Sequence, residues 1–397
     1  MSGNSANEST TTLDLSDLDR WVGKRVIYNE FWNPCNETDI RRWVQAMDYP
    51  NPIHWDEEFA RKSRFGGIVA PQSFMVAMDY GHGCHPACIG KIPDSHLIFG
   101  GEEWWFYGPG VRPGDKLVQE RRFDGYKVAD TKFAGPTVFT RGDTVHRNQH
   151  GAPVAKERAT AIRYLIEEAR KRGMYDKVHR QPKQWTKAEL QEVERIRMAW
   201  ILSNREGRSP HYDAVKVGDK LPRRVIGPHT LVSFALEYRA HRQNIWGTRR
   251  WNAPDGVHDP AKEDAGFAKD MTYDYDASKI DPRQKDGLYY GPSSGHIHSE
   301  KAEKVGMGGA YGYGSSMNAW FHDYLGYWAG HDGFIWHSAT QFRSPAFERD
   351  VTYVDGEIID KIEMSPYGMP VLKLQVKMST QSGEIILAGK AEVQVPY

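Results

Sequence analysis

The stretch DYPNPIHWDEEFARKSRFGGIVAP, residues 48–71, combines side chains that suit proton transfer near neutral pH. His54 follows Asp48 and Asn51, and an imidazole near a carboxylate can exchange protons with a bound water. An Asn-Pro pair favours a turn, because proline keeps the preceding residue out of the helical region. We therefore expect Asp48, Asn51 and His54 on an irregular segment that leads into a short helix.

Two adjacent glycines, Gly66 and Gly67, follow and precede an apolar sequence that begins PQSFMVAMDYG. We predict a long helix there, whose first N–H groups would bind a developing oxyanion. A base and an oxyanion site are the groups needed to add or remove water next to a thioester carbonyl. The structural alternative is that the glycines only end the short helix, that His54 bonds its own turn, and that Asp48 forms an Asx turn.

Other candidate residues have simpler explanations. His296 and His298, in GHIH, would lie on one side of an extended strand and could line a pocket or hold the local structure, but the sequence shows no third metal ligand beside them. The segment HGCHPAC, residues 82–88, is too compact for a typical zinc site, whose ligands come from two separated pairs. We expect a turn there and no metal. Tyr49 is expected to pack, with lining a pocket and donating a proton as its alternatives.

The stretch around His54 has a counterpart in the second half of the chain. When Gly66-Gly67 is aligned with Gly308-Gly309, IHWDEEFARKSRFGGIV lies on GHIHSEKAEKVGMGGAY, and His54 falls on His296. Two later segments recur in the same order, FYGPGVRPGDKL as FRSPAFERDVTY and RNQHGAPVAKERATAIRY as TQSGEIILAGKAEVQVPY. Three pairs of similar segments in the same order predict two copies of one domain.

Each copy contains an apolar helix followed by strands, which predicts an α+β fold with an antiparallel sheet wrapped around a long central helix. A helical connector with Thr186 as its N-cap separates the copies. The predicted divisions are a polar flexible tail at 1–21, a first domain at 22–164, the connector at 165–206, and a second domain at 207–397 with an irregular insertion at about 246–287.

The totals limit the classes of function. The 397 residues include 52 basic and 52 acidic side chains, a balance that argues against a nucleic-acid or anionic-membrane partner. No window approaches the roughly 20 apolar residues that span a bilayer. Three cysteines do not form a disulfide framework, so we expect a cytoplasmic protein.

The sequence NPIHWDEEFARKSRFGGIVAP resembles the hydratase motif of the MaoC-like hot-dog family, the (R)-specific enoyl-CoA hydratases and dehydratases; Asn51, Pro52, His54 and Ala60 match. The resemblance implies two tandem hot-dog domains, the first of them a FAS1-like dehydratase domain. It also implies an acyl-CoA or acyl-ACP substrate and no cofactor. By the same resemblance, His54 and Asp48 are catalytic, and the substrate is bound by Tyr49, Asn51, Gly66, Gly67, His296 and His298.

One departure from the family pattern concerns the carboxylate. The family's Asp stands five residues before the His, where this chain has Tyr49, and Asp48 is one residue further back. Either Pro50 is an insertion and Asp48 serves, or the catalytic carboxylate is gone. The alternatives to a hydratase are therefore a catalytically degenerate acyl-CoA-binding protein or partner subunit and, less in keeping with the motif, a hot-dog thioesterase. A homodimer and a complex with a partner hot-dog subunit both stay open.

Overall fold

The structure is a computed structural model that describes residues 13–25, 29–30, 34–78, 85–108, 110–174, 180–241, 294–296, 298–303 and 305–397. The insertion predicted at about 246–287 lies outside these residues. The α-helices are α1 (Ser16–Asp19), α2 (Glu37–Ala46), α3 (Glu57–Arg61), α4 (Ile166–Lys171), α5 (Lys187–Ser203), α6 (Leu231–His241), α7 (Ser299–Glu303) and α8 (Gly314–Ala329). Short 3-10 helices cover Pro52–His54, Gln72–Met78, His85–Cys88 and Ser294–His296.

The strands form one antiparallel sheet, in the order β1-β3-β4-β5-β2-β7-β10-β9-β8-β6. They are β1 (Asn29–Glu30), β2 (Ser95–Phe106), β3 (Leu117–Thr131), β4 (Gly135–Asn148), β5 (Pro153–Leu165), β6 (Arg224–Ile226), β7 (Phe334–Phe342), β8 (Thr352–Ile362), β9 (Val371–Ser379) and β10 (Ile385–Gln394). From the outer edge inward, β6-β8-β9-β10-β7 repeats the order β1-β3-β4-β5-β2. The sheet confirms the predicted α+β class.

The two halves meet where β2 pairs with β7, with Glu102 opposite Thr340 and Trp104 opposite Ser338. Equivalent turns in the halves also carry equivalent hydrogen bonds. The Ala70 amide donates to the Val111 carbonyl over 2.8 Å, and the Gly312 amide donates to the Ala346 carbonyl over 2.7 Å. Ala70 and Gly312 are related by the same offset as Gly66 and Gly308, so the structure follows the alignment found in the sequence.

The central helices of the halves differ. The predicted helix of the second half is confirmed as α8, which ends at Gly330 with a φ of 73°. In the first half, the described part of the segment predicted as a long helix forms a 3-10 helix, Gln72–Met78. The sequence offers a reason, because Pro71 precedes this segment and Gly81, Gly83 and Pro86 follow it closely, whereas α8 contains no proline.

Capping side chains fix the N-termini of α2 and α5. The Asn36 side chain accepts from the Asp39 amide and Asp39 accepts in return, which starts α2 and buries its Ile40, Trp43 and Val44 face. Thr186 and Glu189 form the same capping box at α5, which confirms the predicted N-cap. No helix in the described part of the chain is both long enough and apolar enough to cross a membrane.

Residues 13–21 were assigned to a flexible tail, and the structure places them on the folded body. Leu18 of α1 is fully buried in a small apolar cluster with Ile89, Ile92, Phe123 and Val138. The Asp17 side chain also accepts from the Lys91 amide over 2.7 Å. The folded region therefore begins before residue 22.

Candidate active site

The turn before α3 has the form that its sequence predicts. The Asn51 side-chain oxygen accepts from the Ile53 amide over 3.2 Å, and Pro52 begins the 3-10 helix that ends at His54. The Asp56 side chain then accepts from the Phe59 amide over 2.9 Å and starts α3. An irregular Asn-Pro segment with a short helix after it thus holds His54 in place.

His54 is only 4% exposed, and its ring has a defined tautomer. Its Nδ1 lies 2.6 Å from the Val69 carbonyl oxygen, which is an acceptor only, so Nδ1 carries the proton and Nε2 carries the lone pair. Nε2 is buried and has no hydrogen-bond partner among the described residues. Burial lowers the pKa of His54 to about 4, although the Val69 carbonyl opposes the shift. The imidazole is therefore neutral at pH 7 and able to accept a proton.

Asp48 is not a hydrogen-bond partner of His54. It adopts a left-handed φ of 50° directly after α2, its side chain is 62% exposed, and its Oδ2 lies 3.9 Å from Nε of Arg197. The conformation of this turn thus directs the carboxylate toward α5 and solvent. The structure does not bring together the His54–Asp48 pair in the way that the motif implied.

Tyr49 takes an inner position instead. It is buried, its ring centroid lies 5.2 Å from that of His54, and its hydroxyl accepts from Nδ2 of Asn51 over 3.0 Å. Burial, and then the charge of Asp323, raise the pKa of the Tyr49 phenol. Tyr49 and Asn51 therefore form one wall of the space around His54.

Asp323 is the carboxyl group that the sequence analysis missed. It lies on α8, is 2% exposed, and accepts at Oδ1 from the Ser73 hydroxyl over 2.6 Å. Its Oδ2 is buried without a hydrogen-bond partner in the described part of the chain. Burial raises the pKa of Asp323 to about 7, although Arg224 and the Ser73 bond act in the opposite direction. A lone acid within the apolar sequence NAWFHDYLGYW was the available signal.

Arg224 of β6 ties α8 to the turn before His54. Its guanidinium is buried and donates to the backbone carbonyls of Met47 over 3.0 Å, Asp48 over 2.8 Å and Trp320 over 3.3 Å. It also stacks 4.6 Å from the ring centroid of Trp200 on α5. The first half, the connector and the second half thus all hold this site.

Gly66 and Gly67 lie beside open space, because a Cβ on either would meet no atom within 4 Å. Gly66 has a φ of 65°, and its amide donates to the Ser63 carbonyl over 3.0 Å. Its N–H is therefore already used in a turn. The expected position at the start of a long helix is wrong, because a 3-10 helix follows and begins only at Gln72.

His296 occupies the position that corresponds to His54. Its Nδ1 lies 2.7 Å from the carbonyl oxygen of Tyr311, and both histidines bond a carbonyl 15 residues further along the chain. The His298 carbonyl accepts from the Lys301 and Ala302 amides at the start of α7. The predicted strand at GHIH is wrong, since Ser294–His296 is a 3-10 helix.

The described residues contain no group of three His, Cys, Asp or Glu side chains that could hold a metal ion. His82 and Cys84 of the HGCHPAC segment lie outside the described residues. Cys35 and Cys88 are both buried.

Comparison with known sequences relates the first half of the chain to dehydratases. Residues 20–157 match the family described as FAS1-like, dehydratase domain region. Over 162 residues, the chain is 26% identical to a probable enoyl-CoA hydratase alpha subunit from Thermomonospora curvata, which covers 37% of this chain and 50% of that protein. A UPF0336 protein from Streptomyces avermitilis is 27% identical over 137 residues, 34% of this chain and 84% of the relative. The chain thus spans about half the length of the hydratase subunit.

Comparison with solved structures extends the likeness to nearly the whole chain. A MaoC-like dehydratase superposes with a TM-score of 0.58 at 16% identity, over 95% of this chain and 99% of that one. A putative MaoC domain dehydratase from Chloroflexus aurantiacus J-10-fl gives a TM-score of 0.53 at 11% identity, over 96% and 97% of the two chains. At these identities the likeness establishes the fold.

Proposed function

We propose that this chain, which belongs to the MaoC-like hot-dog dehydratase family, adds or removes water across the 2,3 double bond of an acyl thioester. The observation that carries the proposal is the state of His54. Its Nδ1 is held by the Val69 carbonyl, and its buried Nε2 has no partner in the described part of the chain. A fixed, neutral imidazole with a free lone pair is a suitable base for activating water.

The proposed hydration begins with a water that donates a hydrogen bond to Nε2 of His54. The imidazole takes a proton from this water while the water oxygen forms a bond to C3 of the enoyl thioester. Electron density moves to the thioester oxygen, and a backbone N–H near Gly67 stabilises the resulting enolate. Open space beside Gly67 supports this placement of the carbonyl. Protonation at C2 completes the product, and the reverse sequence dehydrates a 3-hydroxyacyl thioester.

We propose that the fold is a tandem double hot dog. The repeated strand order, the β2–β7 junction and the equivalent turns of the two halves support this assignment. The domain divisions after residues 164 and 206 remain proposals on the same basis. A single chain of this kind can form internally the paired arrangement that two separate subunits would otherwise form.

The proposed substrate is an enoyl-CoA or 3-hydroxyacyl-CoA, with an acyl-ACP as the other carrier to be tested. The reaction moves a proton and a hydroxide without a change of oxidation state, so acid-base groups suffice and no cofactor is proposed. A homodimer and a complex with a partner hot-dog subunit are both compatible with the proposal. A cytoplasmic location rests only on the charge balance and the cysteine count of the sequence.

One observation favours a second candidate, a binding protein or partner subunit without chemistry of its own. Asp48 is exposed beside Arg197 and is not a hydrogen-bond partner of His54. If no other acid serves the site, acyl-CoA would bind without turnover. The thioesterase alternative has no comparable structural support.

The test is a panel of 2-enoyl-CoA esters with short, medium, branched and aromatic chains. Purified full-length protein should hydrate at least one ester, measured as loss of enoyl absorbance, without release of free thiol. Binding of esters without hydration would favour the partner-subunit candidate. Thiol release without hydration would favour the thioesterase.

A further inference from the structure

We propose that Asp323, from the second half of the chain, is the acid that works with His54 of the first half, in place of Asp48. This inference rests on the proposed hydratase function and adds to it a residue outside the sequence motif. It makes the site a product of both halves rather than of the first half alone.

The hydrogen-bonding state of Asp323 is the first reason. Oδ1 is held by the Ser73 hydroxyl at 2.6 Å, and Ser73 is in turn held by the Trp43 indole N–H at 3.0 Å. Oδ2 is buried with no partner among the described residues. Leaving a carboxyl oxygen buried and unsatisfied is costly, so Oδ2 is available to bond a water or a substrate group.

The position of Tyr49 connects Asp323 to His54. The Tyr49 ring lies 5.2 Å from the His54 ring on one side. On the other side it faces α8, because a Cβ built on Gly326 would lie 3.2 Å from the Tyr49 hydroxyl oxygen. Asp323 is one helical turn before Gly326, and its charge is felt by Tyr49. Tyr49 therefore packs against the base on one side and against the helix that carries this carboxyl group on the other.

The surroundings of Asp323 decide its protonation. The groups facing it are Arg224 of β6, Ser73 of the 3-10 helix and Tyr49 of the turn. The Arg224 guanidinium is also engaged with three backbone carbonyls. Burial still outweighs the favourable charge, and the pKa of Asp323 stands at about 7. A protonated fraction is therefore present at neutral pH, when His54 is neutral.

The proposed step balances with these two groups. One O–H bond of water breaks, its proton goes to Nε2 of His54, and the water oxygen bonds to C3. The proton of the Asp323 carboxyl forms the new C–H bond at C2 as the enolate collapses. The imidazolium then releases its proton to solvent and the aspartate takes one from solvent, which restores both groups. Above its pKa, Asp323 has no proton to give, so the hydration rate should fall as the pH rises through about 7.

The experiment compares Asp323→Asn with Asp48→Asn in the full chain, using the best ester from the panel and a pH series. Asp323→Asn keeps an acceptor for Ser73 and should lower kcat/KM by about 10²-fold or more while abolishing the alkaline decline. Asp48→Asn should stay within about twofold, because that side chain is exposed. Ser73→Ala removes a bond that lowers the pKa of Asp323, so it should move the alkaline decline to higher pH.

The outcomes separate this inference from the proposed function. If His54→Gln loses activity but Asp323→Asn keeps both the rate and the pH profile, the function stands and the role of Asp323 is wrong. A large loss in Asp48→Asn with little change in Asp323→Asn would assign the acid to the motif instead. If Asp323→Asn does not fold, Ser73→Ala decides, and an unmoved profile overturns the inference. Failure of the wild-type chain to hydrate any ester contradicts the proposed function itself.

Discussion

The turn that carries Asn51 and His54 could be predicted from sequence because its contacts are local. Asn51 caps the turn that contains His54, and the partner of His54, Val69, follows within the same segment. A link to Asp323 could not be predicted, because its hydrogen bond with Ser73 and its charge interaction with Tyr49 involve distant parts of the chain. Spacing within one motif carries no information about such a tertiary contact. The same limit left the motif with two alternatives, that Asp48 serves or that the catalytic carboxylate is gone.

Buried carboxyl groups predict an unusual dependence of stability on pH. Burial raises the pKa of Glu102 to about 8, of Glu237 to about 8 and of Asp323 to about 7. The folded protein keeps protons that the unfolded chain loses near pH 4, so their contribution to stability is lost as the pH rises toward 8. We expect the Tm to fall between about pH 6.5 and about pH 8.5.

The buried residues His54 and His229 do not contribute to this decline of Tm. Burial lowers the pKa of His54 and His229 to about 4, so their contribution to stability is complete above about pH 6.5 and is lost only on acidification. Glu102→Gln should therefore flatten the decline of Tm. Glu103→Gln, which changes the neighbouring and more exposed carboxylate, should leave the decline unchanged. A Tm that rises across this range would contradict the assignment.

At the scale of elements, α8 and the turn before His54 depend on each other. The long helix was predictable from its apolar and proline-free sequence, whereas the short 3-10 helix of the first half was not. The helical periodicity of a sequence does not predict which residues pack against the helix. Here α8 presents Gly326 to Tyr49, and its Trp320 carbonyl to Arg224.

Gly326→Ala tests this contact. Alanine in a helix interior is favoured over glycine by about 0.5–1 kcal/mol, so the Tm should be unchanged or raised. The added Cβ would lie 3.2 Å from the Tyr49 hydroxyl oxygen and displace the phenol, so kcat/KM should fall about tenfold.

Tyr49→Phe supplies the matched background, because it removes the hydroxyl that the new methyl group contacts. Gly326→Ala should cost little further activity in that background, and a double-mutant cycle measures the coupling. Equal losses in both backgrounds would show that the glycine acts by another route.

At the scale of the whole molecule, the strand order of the first half recurs in the second, and one sheet joins the two halves. The sequence echoes predicted two copies because turns with Asn, Gly and Pro leave a recognisable pattern. They could not predict that β2 and β7 would pair, since β-strand pairing across halves leaves no local mark. Through this pairing, each half covers an edge strand of the other half.

Separation of the halves should therefore expose two long edges. We expect residues 13–206 and 207–397, expressed alone, to aggregate or to form pairs with themselves, because unpaired strands recruit other strands. Expressed together, they should copurify as a complex of one copy of each. A soluble, folded monomer of either fragment, measured by light scattering and circular dichroism, would contradict a dependence of each half on the other.

The most direct test of the account compares His54→Gln with His296→Gln in hydration of a 2-enoyl-CoA ester. The two side chains make equivalent bonds in the two halves, so the pair is matched in structure and distinct in proposed role. We predict that His54→Gln lowers kcat/KM by about 10²–10⁴-fold and that His296→Gln leaves it within about tenfold. Unchanged activity in His54→Gln, or a larger loss in His296→Gln, would contradict the claim that His54 is the base.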